Sequence, residues 1–282
     1  MHCAALTDRA LVGISGDEAQ MLLQDVISCE VENLPDGLAR PGALLTPQGK
    51  ILFEFLISRD GSNRFLLDLP AAKIGGFVQR MMMYRLRAKA EIAPVDGVSV
   101  HAAWDCERQD GWLLDDRFKD GTTVYRIYGA SLTQTASRED YDRLRVENGV
   151  AEAGADYALS DAFPHDILLD LNGGISFEKG CFVGQEVVSR MQHRSTARRR
   201  IVLVEGQAPL PETGSSLTAG GRAVGSLGTV AGNRALALVR VDKVAAARNS
   251  NTPVLAGDVP VEASLPAWTG LTFPTADAAG EA

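Results

Sequence analysis

Apolar and polar positions follow two rhythms along the chain. In "SGDEAQMLLQDVI" (Ser15 to Ile27), Met21, Leu22 and Val26 recur at helical spacing. Ser15, followed three residues later by Glu18, reads as a capping box opening that helix. "ALLTPQGKILFEFLISRDGSNRFLLDL" is β-rich and is punctuated at Pro47 to Gly49 and at Asp60-Gly61, which predicts a β-meander. "AAKIGGFVQRMMMYRLRA" returns to a helical pattern, with Met81 to Met83 expected as core filler, and "AEIAPVDGVSVHAAW" returns to strands. "GTTVYRIYG" then reads as strand, and "SREDYDRLRVEN" as helix with Ser137 as its cap. Helices alternating with antiparallel hairpins predict an α+β architecture rather than a parallel sheet.

The rhythm changes near Arg198. "RRIVLVEG", "AVGSLGTVAG", "RALALVRV" and "VPVEASL" are short strands separated by Gly and Pro, with no helix longer than two turns expected among them. A small C-terminal β-barrel or sandwich is predicted, with a domain boundary near residue 198, so that 1–197 and 198–282 form separate regions. The tail "PTADAAGEA" is small and polar and is expected to fray.

Composition narrows the function classes. The chain has 282 residues, 45% hydrophobic and 23% charged, as a globular protein with a real core has. Its apolar runs are too short to span a membrane. "MHCAALTDRALVGISGDEAQ" carries Asp8 and Arg9 where a secretory leader would be apolar, so a cytoplasmic location is expected. A net charge of −8 argues against broad binding to nucleic acid. Two local basic runs, Arg80 to Lys89 and Ala197 to Arg200, read as a solvated helix face and a strand entry. Cys3, Cys29, Cys106 and Cys181 have no C-x-x-C spacing, which excludes a zinc knuckle or thioredoxin motif and offers no self-contained metal or cluster site. Cys106, between Trp104 and Trp112, reads as packing. No signature surrounds His165 or His193 that would make a cysteine hydrolase.

The most specific stretch is "KGCFVGQE", Lys179 to Glu186. A helix starting near Gly184 carries Val187, Val188 and Met191 on one side and Glu186/Arg190 at i,i+4 on the other. Cys181 then sits just before a helix N-terminus, with a lysine two residues away. Both features favour a thiolate. Gly180 and Gly184 would let the backbone turn tightly against a ligand. The residues leave two readings open: a reactive or ligand-facing thiol, and a small side chain in a tight turn.

This octapeptide resembles the signature of the YgfZ-type folate-binding proteins, bacterial relatives of the mitochondrial iron–sulfur assembly factor descended from the T-protein of glycine cleavage. "LTDRALVGISGDEAQMLLQ", "LLTPQGKILFEFLI", "MYRLRAKAEI", "RLRVENG", "FPHDILLDLNGGISFEKGC" and "GRAVGSLGTVAGNRALALVR" resemble further family segments, over roughly residues 6 to 270. The resemblance implies a GcvT-like, aminomethyltransferase-like ring: two ferredoxin-like α+β subdomains within 1–197, dividing near residue 100, and a C-terminal barrel, with reduced folate (tetrahydrofolate or a one-carbon derivative) bound centrally. It places Glu147 of "RVENG" against the pterin, whose amino and ring N–H groups a carboxylate can accept. It places Lys179 near the anionic folate tail, and makes Lys179, Gly180, Cys181, Gly184, Gln185 and Glu186 the signature with Cys181 as its working group.

Departures from the T-protein pattern matter equally. Paired aspartates follow "G-x-I-L" in T-proteins, whereas Phe53 and Glu54 stand here, Glu54 being read as a strand carboxylate facing water. Cys181 replaces the usual Asp of "KGD". The resemblance therefore implies a folate-dependent factor for assembling or repairing [4Fe–4S] clusters in client enzymes, tRNA-modifying ones among them. Its partners would be iron–sulfur assembly proteins, with no direct nucleic-acid or membrane contact. A folate-dependent aminomethyltransferase and a non-catalytic folate-sensing module are the alternatives, so whether a reaction is catalysed stays open.

Overall fold

The computed structural model describes residues 1–129, 132–194 and 197–274; most of the polar tail lies outside them. Contacts divide the chain into two units, Met1–Tyr141 with Leu169–Val187 and Asp142–Leu168 with Val188–Ala282.

Unit one is built on a nine-stranded sheet. Its strands are β1 (His2–Ala5), β2 (Arg9–Ser15), β3 (Leu38–Leu45), β4 (Ile51–Arg59), β5 (Arg64–Pro70), β6 (Glu91–Val95), β7 (Ser99–Trp104), β8 (Leu113–Asp115) and β9 (Val124–Gly129). They run in the order β1-β7-β9-β8-β3-β4-β5-β2-β6. The pairings are antiparallel except β3 with β8, where Leu38 and Ala39 lie beside Leu114 and Asp115. The expected meander is present as β3-β4-β5, turning at the predicted Pro47 to Gly49 and Asp60-Gly61.

Helix α1 (Ala19–Val26) and helix α2 (Ile74–Arg85) cover one face of this sheet. Leu22, Leu23 and Val26 join Phe77 and Met81 in a core with Phe53, Phe55, Phe65 and Leu67. Phe77 meets the Phe53 and Phe55 rings edge-on at 5.4 and 5.7 Å, a favoured arrangement for aromatic quadrupoles. Two expectations are corrected here. Ser15 does not cap α1: it ends β2, Gly16 turns the chain at φ +124, and Glu18 is the N-cap residue without a side-chain cap bond. The Glu18 carboxylate instead accepts the Lys89 N–H at 2.5 Å. Of the three methionines only Met81 is core, because helical rotation turns Met82 and Met83 outward, 42% and 61% exposed.

The opposite face of β4 is also buried, and its chemistry is ionic. Glu54, expected to face water, is 3% exposed and lies 4.0 Å from the Arg117 guanidinium. Strand alternation explains this: Phe53 and Phe55 fill the helix side, so Glu54 points to the other, which is equally closed. Arg117 forks onto Asp115 at 2.8 and 2.9 Å, Arg126 reaches Asp115 at 3.1 Å, and Arg9 reaches Asp68 at 2.5 Å. The Tyr141 hydroxyl accepts from Arg117 and Arg126. Burial alone would raise the Asp115 carboxyl, but the two guanidiniums outweigh it and hold it below the usual carboxylate range. Burial, reinforced by the Asp68 charge, pushes Tyr128 well above an ordinary phenol.

Unit two holds a closed six-stranded barrel in the order β10-β13-β12-β11-β14-β15. Its strands are β10 (Arg199–Gly206), β11 (Ser216–Ala219), β12 (Arg222–Ala231), β13 (Arg234–Arg240), β14 (Val254–Ala256) and β15 (Val259–Ser264). Val202, Val204, Leu217, Leu227, Ala237 and Val239 fill its interior. Two further helices precede it, α3 (Arg138–Asn148) and α4 (Gln185–His193), and the unit boundary falls within each. Ser137 does cap α3: its hydroxyl accepts the Asp140 N–H at 3.1 Å, and the Asp140 carboxylate accepts the Ser137 N–H at 2.9 Å. A fifth helix, α5 (Val241–Asn249), runs between β13 and β14 and at nine residues exceeds the two turns expected there. Its signal, Val244, Ala245 and Ala247 turned inward, is a run of small residues that resembles strand filler. The architecture is α+β with a C-terminal barrel.

Candidate functional site

The signature loop is fixed from below by backbone fitting against backbone. The hairpin turn after β3 is closed by Thr46 N–H to Lys50 C=O and Gly49 N–H to Thr46 C=O, both 2.8 Å. Gly184 lies against it with φ +81, and a Cβ there would sit 2.5 Å from the Thr46 carbonyl oxygen. Gly49 answers from the other side: at φ +78, its Cβ would meet Val187 at 2.9 Å. Two glycines thus let the start of α4 settle onto the β3–β4 turn. Gly180, by contrast, has nothing within 4 Å of an added Cβ and no left-handed φ. Of the two signature glycines, one is required by space and conformation, and it approaches protein rather than solvent.

Cys181 is exposed, as are Gly180 and Glu186, while Phe182 is buried and Gln185 half-buried. Helix α4 begins at Gln185, whose N–H bonds the Phe182 carbonyl at 3.2 Å, so the cysteine does precede a helix N-terminus. Lys179 is turned inward. Only 7% exposed, it donates from Nζ to the carbonyls of Ile27 and Cys29, both at 2.8 Å, and its ammonium lies 5.6 Å from the Phe182 ring centre. The residue expected to face a folate tail is here an internal tie. Burial lowers its pKa, with the nearby Glu30 and Asp25 carboxylates among the groups opposing that shift.

The same tie continues through Ser28. Its hydroxyl donates to Gly174 C=O at 2.6 Å and accepts from Ala43 N–H at 2.9 Å, and its carbonyl accepts from Ser176 N–H at 2.9 Å. Residues 27–29 are therefore bonded to β3 on one side and to the 174–179 loop on the other. Sequence reasoning missed Ser28 and Gly49, whose only signals were a polar residue between apolar neighbours and a turn glycine.

Glu147 belongs to the other unit and is exposed on the last turn of α3. What holds it there is Arg145, two residues earlier and fully buried. Its guanidinium donates to Asp156 at 2.9 Å, to Asp142 at 2.7 Å, to the Val150 carbonyl at 2.9 Å and to Thr229 Oγ1 at 3.0 Å. Asp156 also accepts the Thr229 and Glu152 N–H groups, both at 2.7 Å. Gly228 makes room for it, since a Cβ there would meet the Asp156 carboxylate at 2.5 Å. The helix end closes with Gly149 at φ +70 and the Trp268 indole donating to Asn148 C=O at 3.1 Å.

The other thiols differ in setting. Cys3 and Cys29 are buried, and burial pushes the Cys29 thiol up to about 11. Cys106 is half-buried and packs beside Ala103, Trp112, Tyr125 and Ile127. Among the described residues, no three His, Cys, Asp or Glu side chains gather in a group that could hold a metal, and no helix is long and apolar enough to cross a membrane. One exposed thiol can supply one ligand or one nucleophile, and a cluster held there needs its other ligands from elsewhere.

Residues 198–271 match the family model for the CAF17 C-terminal beta-barrel domain. The mitochondrial iron–sulfur cluster assembly factor IBA57 of Mus musculus is 28% identical, covering 86% of this chain and 78% of its own length. The human protein of the same name is 27% identical over 94% of this chain and 85% of its own. The Mycosarcoma maydis homolog reaches 29%, and the match spans 56% of its length. Glycine cleavage system aminomethyltransferase T from Bartonella henselae superposes with a TM-score of 0.69 at 16% identity, over 94% of this chain and 84% of that one, which establishes the shared fold. These relatives also correct the expectation of a cytoplasmic location, since all three are named as mitochondrial proteins. The chain thus combines an aminomethyltransferase fold with similarity to proteins named for iron–sulfur cluster assembly.

Proposed function

We propose that this chain is a folate-binding factor of the YgfZ kind that assists assembly or repair of [4Fe–4S] clusters in client enzymes, with Cys181 as its working thiol. The observation that carries the reading is the contrast around Cys181. Its neighbours are committed inward, Lys179 to two carbonyls and Gly184 to the hairpin turn, while Cys181 itself is exposed. A loop so tightly seated that leaves its cysteine outside is built to present that side chain. The similarity to named iron–sulfur assembly factors supports the substrate class. The cluster is cargo: Cys181 supplies one thiolate, and a partner protein of the assembly machinery, or the client, supplies the rest.

Folate fits in part. Glu147 offers an exposed carboxylate, steadied by buried Arg145, that can accept two N–H bonds from a pterin. Bound folate would supply a one-carbon unit or a redox-active ring. Lys179 is already engaged, so the tail would need another cation. Aminomethyl transfer is the weaker reading, because Phe53 is core and Glu54 is buried beside Arg117, leaving no open carboxylate on that stretch of β4.

The test uses a host lacking its own copy of the protein and the activity of a [4Fe–4S] radical-type tRNA methylthiolase. Wild type should restore activity and Cys181→Ala, at equal abundance, should not. Equal rescue would remove the thiol from the mechanism, and failure of the wild type would remove the cluster-assembly reading.

A further inference from the structure

Helix α2 and the turn after it carry a surface that neither the cysteine loop nor the Glu147 helix uses. Phe77 and Met81 anchor the helix in the core of unit one, while Met82, Met83 and Leu86 stand 42%, 61% and 82% exposed. Leu86 is the extreme case: a branched apolar side chain held in water at φ +46 and ψ −104, a backbone region costly for any residue but glycine. Positive charge is concentrated along the same stretch, with Glu91 just beyond it and the Glu18 carboxylate on the Lys89 N–H. Residues 71–90 contain Lys73, Arg80, Arg85, Arg87 and Lys89 and no Asp or Glu, in a chain with 36 acidic and 28 basic residues. Arg85 folds back onto the Ala90 carbonyl at 3.2 Å. Among the described residues, no carboxylate pairs with the side chains of Lys73, Arg80, Arg87 or Lys89.

We infer that this face docks a folded protein that presents an acidic rim around an apolar notch, with Met82, Met83 and Leu86 entering the notch and Arg80, Arg87 and Lys89 meeting the rim. Methionine suits such a contact because its unbranched, polarisable chain adapts to the facing surface. Apolar groups exposed together and rimmed by charge mark interaction sites rather than ordinary surface. The carboxylates of the partner would pair with these cationic side chains, which sets orientation and on-rate. A bilayer is a poorer match: the inner side of α2 is fixed in the core, leaving only three side chains to insert, and the chain's net charge of −8 opposes an anionic surface. Nucleic acid would use the cations and leave the apolar triad idle.

A photoactivatable benzoyl-phenylalanine at position 83, with a control at exposed Glu212, tests this in cells expressing the full chain. The expected product is a protein adduct whose cross-linked segment, sequenced by mass spectrometry, is net acidic. With that protein purified, Kd should rise at least tenfold for Leu86→Ser and for Arg80→Glu/Arg87→Glu, variants confined to the surface and checked for unchanged circular dichroism. Adducts to lipid, to RNA or to a second copy of this chain would overturn the inference. So would a yield no higher than the control, a basic cross-linked segment, or affinity indifferent to both variants.

Discussion

The two glycines of "KGCFVGQE" look equivalent on paper and should behave oppositely when each becomes alanine. At Gly184 the new Cβ falls 2.5 Å from the Thr46 oxygen, at a φ of +81. The left-handed conformation alone costs an L-residue about 1–2 kcal/mol. Relieving the clash means lifting the start of α4 off the β3–β4 turn, an overpacking cost of about 1–3 kcal/mol. Gly184→Ala should therefore destabilise unit one by about 2–4 kcal/mol, since strain and clash relax together. At Gly180 the Cβ meets nothing, and alanine restricts only the unfolded chain, so Gly180→Ala should be neutral or stabilising by up to about 1 kcal/mol. Urea unfolding in a Trp268→Phe background reads this cleanly, because the remaining indoles, Trp104 and Trp112, both belong to unit one. With unchanged m-values the midpoints should separate in opposite directions from the parent. If Gly184→Ala unfolds within about 0.5 kcal/mol of the parent, or Gly180→Ala loses as much as Gly184→Ala, the backbone-to-backbone seating is wrong.

Three further outcomes can be measured. Lys179→Met keeps the stem and removes both bonds to the Ile27 and Cys29 carbonyls; it should cost about 2 kcal/mol and speed amide exchange across 174–179, whereas unchanged exchange would mean the lysine is no tie. Arg145→Leu strips the counter-charge from buried Asp156 and should cost about 3–5 kcal/mol, read as a fall of about 10 °C in the Tm followed by Trp268. Cys29 gives a pH test: the unfolded thiol ionises near 9.0 and the folded one near about 11, so the folded chain keeps its proton longer. Stability from this group is complete below pH 9 and falls by about 2–3 kcal/mol as pH rises toward 11. Cys29→Ala should flatten that decline, and an identical alkaline slope would place the effect elsewhere.

How far the sequence could be read depends on the kind of force involved. Periodicity exposed the meander and α3, because alternation and a Ser137 cap are local signals. It could not show that Glu54 is buried, since a carboxylate on a strand marks a face and not what closes over it. Its counter-charge, Arg117, comes just after β8, some sixty residues along the chain, and β8 lies beside β3 in the sheet. Around Cys181, the glycines, the helix start and the exposed thiol were legible. The direction of Lys179 was not, because its acceptors are backbone carbonyls some 150 residues away, and backbone groups leave no trace in sequence. Helix α5 escaped because alanine-rich turns inside a barrel segment carry neither a broad apolar stripe nor a cap.

Unit one is not one continuous piece of chain. Residues 1–141 form its sheet, the chain then leaves for 142–168, and only with 169–187 does it come back to close the loop around Ser28 and the Thr46 turn. On a ribosome adding about 5–20 residues per second, this imposes a delay of seconds between a nearly complete sheet and the segment that bears the thiol. Cys181 is thus made only after every strand of the sheet that its loop packs against. The same ordering means that a fragment ending at Tyr141 would hold the receiving turn and strand but never acquire the cysteine.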